Sequence, residues 1–285
     1  MRDVEITPDE IEDYRRHVGR TIEHTDVIEE GIALRLAATL GVERPRHELP
    51  PMWHHGLFLS PVATSALGID GHPRRGDFLP PVRLPRRMHA GATLKFLRPL
   101  AIGARVTRLS RILSVDHRRG QTGDLVFVRV EMSLSQNDAV CIEEQQTIVY
   151  RGPGKTAAVI SRPRLPLESG ERSENWLPTT TELFRYSAST FNSHRIHYDR
   201  AYATEVEGYP ELVVHGPLVA TRLCNFATGL LERPLAKFGF RGEAPAFVGQ
   251  DIRISGMKTT DGCVVKAERA DGVTAMSATA TCVPL

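Results

Sequence analysis

The chain has 285 residues, of which 41% are hydrophobic and 25% charged, and a formal net charge of +2. That length supports one large domain or two of ordinary size, and the composition excludes a disordered chain. A charge so near zero excludes a global drive toward nucleic acid or a membrane surface. No apolar run reaches the roughly 18 residues of a membrane-spanning helix. Met1-Arg2-Asp3-Val4-Glu5 lacks the apolar stretch of a signal peptide, so the cytoplasm is the expected compartment. Cys141, Cys224, Cys263 and Cys282 lie far apart with no CxxC spacing, which fits buried free thiols in a reducing compartment and not a zinc site.

Residues 7–41 read as helical. Thr7-Pro8-Asp9-Glu10 is a helix start, and a second helical stretch, Glu30 to Leu40, is closed by Gly41. Residues 42–90, rich in Pro, Gly, His and Arg, are expected to form a long ordered loop that contacts something, with a short apolar piece at Trp53–Leu59. The basic runs Arg74-Arg75 and Arg83–Arg87 read first as solvated surface and second as a site for ligand phosphates. Strands follow over Ala92–Phe96, Arg105–Ser114, Leu125–Leu134 and Ala139–Tyr150. A polar turn at Asp116–Asp124 and another at Asn137-Asp138 make them an antiparallel meander.

Residues 152–175 carry prolines, glycines and mixed charges and read as a linker between residues 1–151 and 176–285. The second part opens with a helix or short strand at Thr179–Tyr186. Gly216–Leu231, apolar on most sides, is a buried core helix. Three strands are expected after it, Ala246–Ser255, Cys263–Arg269 and Val273–Val283, with Asp261-Gly262 and Asp271-Gly272 turning between them. Each part thus reads as helix then meander. Sequence identity between the parts is negligible, so a duplication rests on element order alone.

The densest polar cluster is Phe184 to Asp199, FRYSASTFNSHRIHYD; a second, Val213-Val214-His215-Gly216-Pro217, precedes the apolar helix. Gly216 would place unpaired backbone N–H groups at a helix N-terminus, where they can stabilise a thioester oxygen that gains negative charge. Histidine is the natural proton carrier at neutral pH. His194 and His197 have the i, i+3 spacing that metal ligands use, but no HExxH accompanies them, and no metal is expected. Asp199 beside Arg200 can be a local ion pair. No G-x-S-x-G, G-x-G-x-x-G or P-loop occurs, so no hydrolase elbow or nucleotide motif is expected.

These two clusters resemble the MaoC-like (R)-specific enoyl-CoA hydratases, whose pattern is close to Y-A-x-x-S-G-D-x-N-P-I-H followed by a later A-H-G. Tyr186, Thr190, Asn192, His194, Arg195, Ile196 and His197 fall on its Tyr, Ser, Asp, Asn, Pro, Ile and His without a gap, and Val214-His215-Gly216 on the later segment. Asn192 stands where the family has its catalytic Asp. The form S-A-x-T-F-N-x-H-R-I-H-Y-D is most similar to a branch with mesaconyl-C4-CoA hydratases, itaconyl-CoA hydratases and mitochondrial 3-hydroxyacyl-thioester dehydratases. Leu79-Pro80-Pro81, Leu84-Pro85-Arg86-Arg87-Met88 and Leu97-Arg98-Pro99-Leu100 are similar to the first two of these.

The resemblance implies an α+β double hotdog, a curved antiparallel sheet around a central helix in each half, with a degenerate N-terminal half and a catalytic C-terminal half. It implies a cofactor-free hydro-lyase that adds water to an α,β-unsaturated acyl-CoA, with a branched dicarboxylic acyl group expected. His197 is expected as general acid/base, Asn192 as the group that positions water, and Gly216 with His215 at the thioester oxygen. Tyr186, His194 and Arg195 are expected on the substrate, with Arg195 gripping a carboxylate, and Arg86 and Arg87 near the CoA phosphates. Acyl-CoA is the expected partner, neither nucleic acid nor membrane is, and a homodimer is expected. The alternatives are a fatty-acid-type 3-hydroxyacyl-thioester dehydratase, a hotdog thioesterase and a non-catalytic acyl-CoA-binding protein.

Overall fold

A computed structural model describes residues 5–59, 61–120, 123–152 and 163–283. The first half holds α1 (Pro8–Arg15), β1 (Thr21–Val27), α2 (Glu30–Leu40), β2 (Glu48–Leu49), β3 (Arg86–Phe96), β4 (Leu100–Ala101), β5 (Arg105–Gly120), β6 (Gly123–Gln136) and β7 (Ala139–Arg151). The second holds β8 (Arg172–Trp176), α3 (Thr180–Thr190), α4 (Gly216–Leu231), β9 (Leu235–Gly242), β10 (Ile252–Lys258), β11 (Gly262–Arg269) and β12 (Thr274–Cys282).

Strict alternation sets the core of the first half: β6 buries Val126, Val128, Val130, Met132 and Leu134 on one face. Asn137 and Asp138, both with positive φ, make the tight turn into β7. All strands but β2 and β4 join one ten-stranded sheet in the order β1-β5-β6-β7-β3-β9-β12-β11-β10-β8. Numbered within its own half, each set of five runs first, third, fourth, fifth, second, and the two sets meet at their second strands. Gly91–Lys95 of β3 pairs there with Lys237–Arg241 of β9. This repeated order is the double hotdog that the element order suggests.

In the second half the sheet packs on α4, which touches β9, β10, β11 and β12. Leu218, Ala220, Leu223, Cys224 and Ala227 are fully buried there, and truncating one such leucine to alanine costs about 2–5 kcal/mol. The first half differs. Its α2 matches α3 in length and position, and the two pack together. At the place in chain order that α4 occupies, it has two short 3-10 turns, Trp53–Gly56 and Thr64–Ala66, and no long helix among the described residues. Part of the inner face of β5–β7, including Arg108, Met132, Leu134 and Ile148, therefore borders open space where the second half has a helix.

Several expectations are corrected. Residues 21–27 are not helical but an edge strand, whose polar alternation in TIEHTDV supports a ladder and little burial. β3 begins at Arg86, before the expected start at Ala92, and carries a bulge between His89 and Gly91. The expected turn at Asp116–Asp124 is mostly strand, since β5 and β6 pair out to Gly120 and Gly123. Residues 172–175, expected within the linker, belong to β8. β9 was not expected: its LAKFGFRG reads as polar and glycine-broken, yet it lies centrally in the sheet. Residues 246–251 form no strand, and β10 begins at Ile252.

Gly91 marks a close approach of the halves within the sheet, since a Cβ there would run into the Phe240 carbonyl oxygen and the Arg241 backbone. Gly91→Val is expected to destabilise the protein by about 1–3 kcal/mol through forced separation of β3 and β9. Thermal denaturation reads this out, and an unchanged Tm would show that the junction yields without cost.

Candidate active site

Between the halves lies a cavity of about 640 Å³. Its second-half wall includes Asn192, His194, Ile196, His197, Val213, Val214 and the first residues of α4, Gly216 and Pro217. Pro217 sits in the first turn of α4, where its missing N–H is no loss. His215, the N-cap residue, makes no side-chain cap, so the first turn of α4 keeps open donors at its positive end. A Cβ at Gly216 would meet nothing within 4 Å, so this backbone borders free space.

The motif is built on the end of α3. Thr179 caps its start by accepting from the Glu182 amide, and Phe191 ends it with a left-handed φ. Asn192 then turns the chain, its Oδ1 accepting from the His194 amide at 3.0 Å. With Oδ1 so used, the amide nitrogen of Asn192 can offer hydrogen bonds to a ligand, but it cannot take a proton. The 3-10 turn Arg195–His197 buries Ile196 and His197. His197 Nδ1 donates to the Val213 carbonyl at 2.7 Å, which leaves Nε2 with its lone pair. Burial lowers His197 to about 4, against a smaller upward effect of the Val213 carbonyl, so the ring is neutral at neutral pH.

The structure brings together only some of the expected residues. His197, Asn192, His194 and Gly216 line the cavity, as do Arg86 and Arg87. His215 does not: its ring is fully buried, stacks on His197 at 3.7 Å between centroids, and bonds Ser187 Oγ through Nε2 at 2.8 Å. It lies beneath His197 and is not among the residues lining the cavity. Tyr186 is likewise buried, tilted against His215 at 4.9 Å, and its hydroxyl meets Thr221. Arg195 is committed elsewhere: it pairs with Asp199 at 2.7 Å, lies over the Tyr202 ring and donates to the Ile69 carbonyl. That ion pair, and not one between Asp199 and Arg200, is what holds the turn; Arg200 pairs with Glu211. Arg86 is paired with Glu207 at 2.9 Å.

The first half contributes residues that sequence reasoning missed. His54 and His55, on the Trp53–Gly56 turn, hold the buried Glu144 between them at 2.8 and 3.1 Å. Burial would raise the Glu144 carboxyl, but the two imidazoles more than offset it and hold it well below the usual range. His89, turned inward beside the β3 bulge, packs edge-on to His55 and Phe240, with both ring nitrogens shielded and unpartnered. Arg108 lies over the Phe58 ring at 4.6 Å. A second contribution is the loop Ile69–His72, which docks on the motif. Arg195 N donates to Asp70 O and Ser193 Oγ to Gly71 O. Its Asp70 bonds His72 Nδ1 at 3.2 Å, and the His72 ring lies 4.1 Å from that of His194. The spacing in His54–His55–Glu144 and in Asp70–His72–His194 would admit a cation, but hydrogen bonds already close the Glu144 cluster and the Asp70–His72 pair. The only sequence signal for Asp70–His72 was an Asp-Gly-His turn in a loop of unassigned role.

Comparison with known proteins gives a concordant picture. The family described as hydroxyacyl-thioester dehydratase type 2 matches residues 52–248. The mesaconyl-C(4)-CoA hydratase of Chloroflexus aurantiacus is 42% identical over 271 residues, covering 94% of this chain and 97% of that protein. Among solved structures, HtdX of Mycobacterium tuberculosis superposes with a TM-score of 0.68 at 17% identity, over 93% of this chain and 100% of that one. A conserved hypothetical protein of the same organism, described as a double hotdog fold, gives 0.55 at 14% identity, over 93% and 96%. At these identities the structures speak for the fold.

The site stores an unusual number of neutral imidazoles. His54, His72, His89, His194, His197 and His215 are all lowered, in each case first by burial. The unfolded forms take up protons below about pH 6.5 while folded His89, His194, His197 and His215 stay neutral, so each of these four adds up to about 1.4 kcal/mol of destabilisation per pH unit in that window. Stability should therefore fall steeply from about pH 6.5 to about pH 5, before ordinary carboxylates titrate. Urea unfolding across that range measures the slope; a flat profile would mean that the histidines are hydrated and not buried.

Proposed function

This chain belongs to the hydroxyacyl-thioester dehydratase type 2 family, and on that premise we propose that this hydro-lyase reversibly hydrates a branched dicarboxylic enoyl-CoA, mesaconyl-C4-CoA or itaconyl-CoA. The observation that carries the reading is the free Nε2 of His197 on the cavity wall beside the open first turn of α4. Residues 176–285 supply this machinery, and residues 1–151 widen the cavity. The Gly216 N–H would meet the thioester oxygen, where it stabilises negative charge as an enolate develops. His197 then exchanges the proton at Cα, next to that carbonyl, and the Asn192 amide holds the oxygen of water at Cβ.

The carboxylate role expected of Arg195 passes to arginines that line the cavity. Arg87 on β3 and Arg151 on β7 do so on neighbouring strands. Either can grip a carboxylate or a CoA phosphate in a bidentate fashion. Buried free cysteines fit the cytoplasm, and no helix among the described residues is long and apolar enough to cross a membrane. A second reading, dehydration of longer 3-hydroxyacyl thioesters, is favoured by the apolar first-half lining of Phe58, Leu79, Met132, Leu134 and Ile148.

Assaying a panel of enoyl- and hydroxyacyl-CoAs for gain or loss of one water separates the two readings. Preference for dicarboxylic groups supports the first, preference for long straight chains the second, and release of free CoA thiol would indicate a thioesterase. His197→Ala should lower kcat by about 10²–10⁴ with the fold intact; near-normal turnover would remove His197 from the mechanism. Gly216→Val should leave Tm nearly unchanged, because its side chain enters open space, yet block turnover by filling the thioester position.

A further inference from the structure

The motif puts two histidines, His194 and His197, on the cavity wall but no carboxylate. Asn192 can hold a water but cannot exchange its proton. His194, the other histidine of its turn, has no carboxylate among the described residues hydrogen-bonded to its ring and is held neutral by burial beside His72 and His197. The required second group is supplied from across the cavity. Gly71 has a positive φ, and a Cβ there would run into the Ser193 carbonyl, so the loop can dock only with glycine at this point. The contacts on either side of it, Arg195 N to Asp70 O and Ser193 Oγ to Gly71 O, fix the loop on the catalytic turn. His72 is thereby set against His194 on the cavity wall, with Asp70 gripping its Nδ1 and its backbone amide. Nε2 is left as the working nitrogen, as it is in His197.

Resting on the hydro-lyase reading above, we propose that the Asp70–His72 pair, delivered by the first half, is the second proton-transfer group of the reaction and stands in for the carboxylate absent at Asn192. His72 is the catalytic residue and Asp70 its positioning residue. In the dehydration direction, His197 Nε2 removes the proton at Cα. The C–H electron pair moves toward the thioester oxygen, giving an enolate at the Gly216 N–H. Burial keeps His72 neutral at rest, so the reacting form is the one in which it has taken up a proton beside Asp70. In that form the enolate's collapse forms the C=C bond and breaks the Cβ–O bond, and the hydroxyl leaves as water with that proton. His197 ends one proton richer and His72 one poorer. His194 lies between them, with ring centroids 4.1 Å from His72 and 5.3 Å from His197, and exchange with solvent resets the pair. Hydration is the reverse. Asp70 is placed to stabilise the imidazolium, which no other carboxylate among the described cavity groups touches.

The test uses the full-length enzyme and whichever thioester in the panel it turns over. His72→Ala should lower kcat about 10²–10⁴-fold with KM little changed, and added imidazole should restore part of the rate. His72→Gln keeps the packing and should be equally impaired. Asp70→Asn should move the alkaline fall of the dehydration rate to lower pH, because it removes the anion that favours the charged ring. The other charges facing His72, Arg87 and Arg75, and the neutral His194 remain as they were. Folded His72 variants within threefold of wild-type kcat overturn the proposal. So does a loss without imidazole rescue accompanied by a raised KM, or a wild-type activity that a chelator removes and a divalent cation restores. A wild-type chain that turns over no enoyl- or hydroxyacyl-thioester overturns the hydro-lyase reading, and the dyad's role with it.

Discussion

The backbone pairing of Gly91–Lys95 with Lys237–Arg241 is the constraint on which the rest of this molecule depends. It makes one continuous sheet from two five-stranded units and leaves no free edge between them. It also fixes the distance between the inner faces, and hence the cavity that both halves line. The pairing requires a residue without a side chain at Gly91, and the β3 bulge beside it turns His89 inward. A bulge that re-aims one side chain at a site rim is thus tied to the same short segment that joins the halves.

Burial of several ionisable groups beside the site, Glu144, His54 and His197 among them, goes with this closure. In the interior, charge separation is costly unless a partner is near. The buried carboxylate Glu144 is held by two imidazoles, while the His197 ring has a carbonyl and the neutral imidazoles of His215 and His194 beside it. The first arrangement favours a standing negative charge; the second favours a neutral ring with an available lone pair. The same residue type is therefore a counter-group to Glu144 in one half and, at His197, a neutral ring with an open nitrogen in the other.

What was legible in the sequence was contiguous. α4 could be read to its first and last residue, because its apolar pattern is long and Gly216 and Pro217 mark its start. The buried face of β6 was equally clear. β1 and β9 were not, since an edge strand with polar alternation and a central strand interrupted by Gly239 and Gly242 carry weak local patterns. The motif from Tyr186 to His197 was found as a cluster, but a cluster does not say which side chains face inward: Tyr186, His215 and Arg195 turn away from the cavity. Asp70 and His72 were invisible for the opposite reason. They lie about 120 residues from the turn they meet, and only the tertiary fold brings them there.

The basic runs, read in sequence as surface or phosphate ligands, have a different physical use that explains how the first half does without a central helix. Its connection from α2 to β3 contains Pro80, Pro81 and Pro85, which have no N–H to offer, so nearby carbonyls cannot all be satisfied by backbone. Arg75 fills that gap: its guanidinium donates to the carbonyls of Val82 and Leu84, both at 2.6 Å, and of Pro85, and lies over the Tyr150 ring. Arg83 ties the same stretch to Glu10 of α1, and Arg20 reaches the Asp77 carbonyl. A helix closes its own hydrogen bonds; this stretch is closed by side chains with several donors each. That substitution holds carbonyls of this stretch with side chains where a helix would use its own backbone, which is how the first half can give up a long helix here and keep a fold.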